Sequence, residues 1–143
     1  MRIHAEEIGA NTIADLRQKT PQELKEDLRT LRELQMRMRF QRVFGTLEQT
    51  HKLRQNRKNI ARILTVLREK QIQHFLLNDP EVQELLDSGK VRLSAGKNDP
   101  KRPIRREDIS GNDARSVTLA MRLWAMLRRR PDFFNRTRQI PRI

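Results

Sequence analysis

Residues 53–70, LRQNRKNIARILTVLREK, constrain this chain more than any other stretch. At helical spacing, Leu53, Ile60, Ile63, Leu64 and Leu67 gather on one side of a helix. Arg54, Arg57, Lys58, Arg62 and Arg68 gather on the flank beside them. The apolar side needs a partner helix, and the cationic side needs water or an anion.

The partner lies just upstream. In KTPQEL, Thr20 is a good N-cap, Pro21 is tolerated at the first helical position, and Glu23 completes a capping-box spacing. The helix begun there should run to about Phe44, where Gly45 ends it, a length of about 36 Å. Its positions Leu24, Leu28, Leu31, Gln35 and Met38 step by four and three, a coiled-coil-like seam that Leu34 widens. Leu53, Asn56, Ile60, Ile63 and Leu67 repeat the rhythm. The short stretch 45–50 between the helices makes them antiparallel neighbours. Gln35 and Asn56, one polar interruption in each seam, then fall at similar heights. They either bond each other or face solvent at the seam's edge.

The expected fold class is all-α: an antiparallel two-helix hairpin plus a mostly helical and extended C-terminal extension. Residues 1–12 read as an arm and 13–74 as the hairpin core. In the extension, 75–143, Asp79-Pro80-Glu81 starts a short helix near 80–88, with Val82, Leu85 and Leu86 on one face. A linker over 89–109 is punctuated by Gly89, Gly96, Pro100 and Pro103, with a brief strand at Val91-Arg92-Leu93. A third long helix near 112–130 has Ser110 or Asn112 placed to cap it and Pro131 to stop it. Val117, Ala120, Met121, Trp124 and Leu127 form its stripe, and Phe133 and Phe134 follow as anchors. A hairpin of this size buries little surface and depends on a partner.

Charge points to that partner. The formal net charge is +13, which repels itself unless a polyanion neutralises it. Residues 36–72 hold ten Lys or Arg against two acids, seven of the ten being Arg. Pairing within the helices cannot neutralise such an excess, and the planar guanidinium fork suits phosphate. Arg37, Arg39, Arg42, Lys52, Arg54, Arg57 and Lys58 crowd the turn end of the hairpin, where the closest phosphate contacts are expected, with Arg62 further along. A second basic block covers 101–143. There Arg128, Arg129 and Arg130 are expected to reach RNA, although cations at a helix C-terminus also suit the dipole.

Other chemistries are poorly supplied. There is no cysteine, which excludes disulfides and thiolate metal sites. His4, His51 and His74 are far apart, so no metal site is expected. The serines and threonines lack a nearby base, and the acids of 79–87 suit a solvated helix face better than a catalytic pair. No cofactor or catalytic residue is expected. No apolar run reaches a membrane span. Glu6 and Glu7 argue against an intact transit peptide. Two further readings stay open: a free RNA- or DNA-binding helical protein, and a membrane-surface protein acting through the basic amphipathic segment 113–130.

Three stretches, IADLRQKTPQEL, MRFQRVFGTLEQ and RQNRKNIARILTVLREK, make residues 13–71 resemble the ribosomal protein L-twenty-nine family. Arg57-Lys58-Asn59-Ile60-Ala61-Arg62 is the most characteristic piece; Asn56 departs from the family's small or β-branched preference. The resemblance implies a structural, non-catalytic hairpin on large-subunit ribosomal RNA near the peptide exit. It implies the twenty-third-family protein as a neighbour, docking of nascent-chain factors close by, and RNA-facing roles for Arg37, Arg39, Arg42, Arg54, Arg57, Lys58 and Arg62. The extension beyond residue 71 is similar to those of mitochondrial ribosomal proteins. By that analogy the mitochondrial matrix is favoured over the bacterial cytoplasm, with the inner membrane among the extension's conceivable contacts.

Overall fold

The computed structural model describes residues 12–93, 102–138 and 140. The arm expected over 1–12 lies, Thr12 apart, outside the described residues, as do His4 and Gly96 and Pro100 of the linker. The chain divides into two compact units, residues 1–67 and 68–143. Among the described residues the fold is all-α apart from one two-stranded pair.

In the first unit two capping boxes follow each other. Thr12 opens α1 (Ile13–Gln18): its hydroxyl accepts from the Asp15 amide at 3.3 Å, and its own amide donates to Asp15 Oδ2 at 2.9 Å. Thr20 opens α2 (Pro21–Val43) in the same way, with Glu23 reaching back to the Thr20 amide at 2.7 Å. Each box satisfies two amides that a helix start would otherwise leave open. The Thr12 hydroxyl and amide hold the Asp15 carboxyl below its ordinary range, and the Thr20 amide and hydroxyl do the same for Glu23. Lys19 Nζ meets Oδ2 of the buried Asp27 at 2.6 Å, tying the segment between the helices to α2.

Phe44 closes α2 and Gly45 turns the chain at φ +70°, a left-handed conformation natural to glycine. α3 (His51–Asn78) then runs back. Leu16, Leu24, Leu28 and Leu31 bury against Ile63, Val66 and Leu67, with Ile60 and Leu64 partly covered. Val66, absent from the seam read in the sequence, is fully buried, and Leu53 is only half-buried. Gln35 and Asn56 do not pair with each other. Asn56 is 4% exposed and its Nδ2 donates to the Leu31 carbonyl at 2.9 Å, while Gln35 is half-buried. An amide one turn off the expected height found a backbone acceptor, because a carbonyl in a helical ladder keeps a second lone pair.

The second unit begins at Arg68 within α3, not at residue 75, because Ile72 and Leu76 pack into the core of the extension. Asp79 caps α4 (Pro80–Asp87), accepting from the Glu81 and Val82 amides at 3.1 and 3.4 Å. The described parts of the stretch expected as a linker, 89–93 and 102–109, are more structured than its glycines and prolines suggested. β1 (Arg92–Leu93) pairs antiparallel with β2 (Arg102–Pro103), and α5 (Arg106–Ser110) follows. Gln73, buried on α3, donates from Nε2 to the Ile109 and Gly111 carbonyls at 3.1 and 2.9 Å, closing the end of α5.

The third long helix is shorter than expected. α6 (Ala114–Leu127) is capped by Asp113, which accepts from the Ser116 amide at 3.3 Å. Neither Ser110, the last residue of α5, nor Asn112 caps it. α6 ends before Arg128–Arg130, and Pro131 opens a further helix, α7 (Pro131–Arg138). Proline lacks only an N–H that a first turn leaves unbonded, so it starts a helix as readily as it ends one. Phe133 is buried and Phe134 exposed, so only the first anchors. Phe75 meets Trp124 edge-on at 5.6 Å, and the Arg68 guanidinium carbon sits 5.9 Å from the Trp124 ring centre.

Candidate nucleic-acid interface

The turn end of the hairpin is built from the last turns of α2 and the first turns of α3. Arg37, Arg39 and Arg42 stand on the former, Lys52, Arg54, Arg57, Lys58 and Arg62 on the latter, and all eight side chains are exposed. On α3 the cations do not merely flank the core. Arg54, Arg57, Lys58 and Arg62 fall within an arc of about 140° centred opposite Asn56, Ile63 and Val66, since each residue turns the helix by about 100°. The basic face therefore looks away from α2.

Its charge is not spent inside the protein. Among the described residues, Arg37, Arg39, Arg42, Arg54, Arg57 and Lys58 take part in no ion pair. Arg62 donates from Nη1 to the Asn59 side chain at 3.3 Å. The first turn of α3 has no acid and begins His51-Lys52. Cations at a helix N-terminus oppose the macrodipole and cost about 0.3–1 kcal/mol each when exposed. A helix shaped only by its own stability would carry acids there. The site holds positive charge at its own expense, which favours an anion in contact with it.

The second basic block behaves differently. Arg106 pairs with Asp87 at 2.6 Å, Arg102 with Asp108 at 2.6 Å, and Arg136 with Glu81 at 2.8 Å and Asp79 at 3.5 Å. Arginines there staple elements of the second unit together. Arg128, Arg129 and Arg130 remain exposed at the C-terminal end of α6, where Arg128 is the cap and the amides of all three bond back to carbonyls of its last turn, before Pro131 opens α7.

One feature of the turn end escapes the seam pattern. Met36, Phe40, Val43 and Phe44 are large, apolar and exposed. Their spacing, off the four-three register of Leu24 to Met38, is the sequence signal that marks them as a second face of α2. Among the described residues no group of three or more His, Asp or Glu could hold a metal, and no helix is long and apolar enough to cross a membrane.

Fold and charge together define a class: a basic helical hairpin with an apolar seam, an unneutralised outer face and a separately packed helical extension. Residues 14–70 match the family described as Ribosomal L29 protein. The chain is 46% identical over 56 residues to large ribosomal subunit protein uL29 of Ruegeria pomeroyi, covering 85% of that protein and 39% of this one. Against uL29 of Dichelobacter nodosus it is 40% identical over 62 residues, 97% and 43% of the two chains, and against uL29 of Cutibacterium acnes 43% identical over 68 residues, 86% and 48%. No solved structure gives a significant match. The chain belongs to the ribosomal L29 protein family, a structural and non-enzymatic family of the large ribosomal subunit. The matched relatives are nearly fully covered, and most of the second unit is additional to them.

Proposed function

We propose that the protein is a structural constituent of the large ribosomal subunit whose hairpin holds ribosomal RNA at its turn end. One observation carries this: the exposed Arg37, Arg39, Arg42, Arg54, Arg57 and Lys58 take part in no ion pair among the described residues, and those on α3 follow a helix start that has no acid in its first turn, where cations are unfavourable without an anion. Arg37, Arg39, Arg42, Lys52, Arg54, Arg57, Lys58 and Arg62 bind phosphates. Arg128, Arg129 and Arg130 add a second contact from the extension. The family resemblance supports a position near the peptide exit beside the twenty-third-family protein, where nascent-chain factors dock. The division of labour is a ribosomal core in the first unit and an added protein- or RNA-contacting module in the second.

The protein's place is the ribosome. The length of the extension speaks for an organellar ribosome, but the matched relatives are bacterial and lend the mitochondrial matrix no support. Sedimentation with the large subunit tests the assignment directly; absence from that peak overturns it. Replacing Arg57, Lys58 and Arg62 by Ala should weaken RNA binding and lower the slope of log affinity against log salt by roughly two to three. An unchanged slope means that this face meets water.

A further inference from the structure

Phe40 and Phe44 are two of only five phenylalanines in the chain. They lie with Met36 and Val43 along the last turns of α2, and these four side chains are 56% (Met36), 57% (Phe40), 81% (Val43) and 76% (Phe44) exposed. This stripe is turned roughly 130–150° from the buried seam of Leu24, Leu28, Leu31 and Met38, at about 100° per residue. The hairpin core therefore does not use it. Exposed phenylalanine is costly in water, and among the described residues nothing in the first unit's packing requires it there.

Its surroundings select an occupant. Arg37 and Arg39 border the stripe on its two sides, and no acid occurs between Glu33 and Glu48. Neither arginine is engaged in an ion pair among the described residues. A protein interface of ordinary stability takes about 20–30 residues a side, and four side chains fall well short. An aromatic face between cations matches the two parts of a nucleotide: ring on ring, and phosphate on guanidinium.

We propose that the Phe40–Phe44 stripe is a stacking platform for unpaired RNA bases, with Arg37 and Arg39 holding the phosphates on either side. The inference rests on the reading of the hairpin as RNA-binding and adds to it what is held: single-stranded bases, where the α3 cations hold backbone alone.

The test uses the full chain and two probes, a short single-stranded oligoribonucleotide and the same strand in a perfect duplex. The Phe40→Leu/Phe44→Leu double variant keeps the apolar surface and removes the rings. It should bind the single strand about tenfold more weakly, leave duplex affinity and the salt slope unchanged, and regain single-strand affinity as Phe40→Tyr/Phe44→Tyr. Wild-type affinity of the leucine variant for the single strand overturns the platform. If the Arg57, Lys58 and Arg62 substitutions still flatten the salt slope in that case, the RNA-binding reading stands alone. Equal losses on both probes overturn the platform as well, since duplex bases are not available to stack. A wild-type chain that binds neither probe overturns both readings. Intact RNA affinity with lost incorporation into the large subunit assigns the stripe to a neighbouring protein and overturns the platform.

Discussion

Asn56 is the most informative residue of the hairpin to perturb. Its amide is 4% exposed and donates to the Leu31 carbonyl at 2.9 Å across the two helices. Truncation in Asn56→Ala removes a neutral hydrogen bond worth about 0.5–1.5 kcal/mol, and the small cavity adds to that. A total of about 2 kcal/mol is expected, because the Leu31 carbonyl keeps its bond in the α2 ladder. Asn56→Asp is nearly the same shape and should be worse. A carboxylate cannot donate, and it would face the carbonyl oxygen without a partner; uncompensated buried charges cost about 3–5 kcal/mol. The introduced carboxyl would have its folded pKa raised above the unfolded value of about 3.9. Its stability contribution is then fully present below that unfolded pKa, where the protonated acid donates to Leu31, and is lost as pH rises through the folded pKa. Amide hydrogen exchange resolved to peptides around Leu31 and Ile63 reads this locally. At neutral pH the Ala variant should exchange about 30-fold faster and the Asp variant more than about 100-fold faster, at about 1.4 kcal/mol per decade. After correction for intrinsic rates, the gap between the Asn56→Asp variant and wild type should close on acidification. An Asp variant as protected as wild type at neutral pH, or a gap that does not narrow in acid, would refute the reasoning.

Two predictions concern the second unit. Gln73→Glu replaces a buried double donor by an acceptor facing the Ile109 and Gly111 carbonyls; thermal unfolding should begin several degrees lower, whereas an unchanged melting curve would mean that the two bonds contribute nothing. Gly111→Ala would place a Cβ 2.6 Å from both Asp113 Oδ1 and Ser116 Oγ, so it should displace the α6 cap and cost about 1 kcal/mol, read as faster amide exchange at Ser116 and Val117 with the end of α6 unaffected.

Local signals made the first unit legible. Thr20, Pro21 and Glu23 carry the start of α2 within four residues, and Gly45 carries its end, so neither needs knowledge of the rest of the fold. The seam was readable because two helices joined by a short turn can pack in few ways. What failed depends on tertiary partners. The acceptor of Asn56 and the burial of Val66 follow from the height and rotation at which the helices meet, which a repeat of four and three does not fix. In the extension, Ser110 and Asn112 have the chemistry of caps, but Ser110 already closes α5 and Asp113 stands one place nearer the helix. The arginines of 101–143 looked alike in sequence. Only the packing separates Arg102, Arg106 and Arg136, held by acids, from Arg128, Arg129 and Arg130, left to the outside. At the turn end the cations were legible from their excess alone, whereas the exposure of Phe40 and Phe44 was not, because aromatic residues in an amphipathic helix usually point inward.

The short helix α1 gives the hairpin two unlike poles. Leu16 adds a leucine to the core at the pole away from the turn, and Lys19 closes on Asp27 across the junction, so that pole is finished in both apolar contact and charge. The turn pole is unfinished in both, with bare phenylalanine and unanswered guanidinium. An antiparallel pair of similar helices would otherwise present its two ends as near equivalents. On the proposed RNA-binding reading, a polyanionic surface would gain contact at the turn pole, and the hairpin would have a direction of insertion: turn first, with the capped junction trailing.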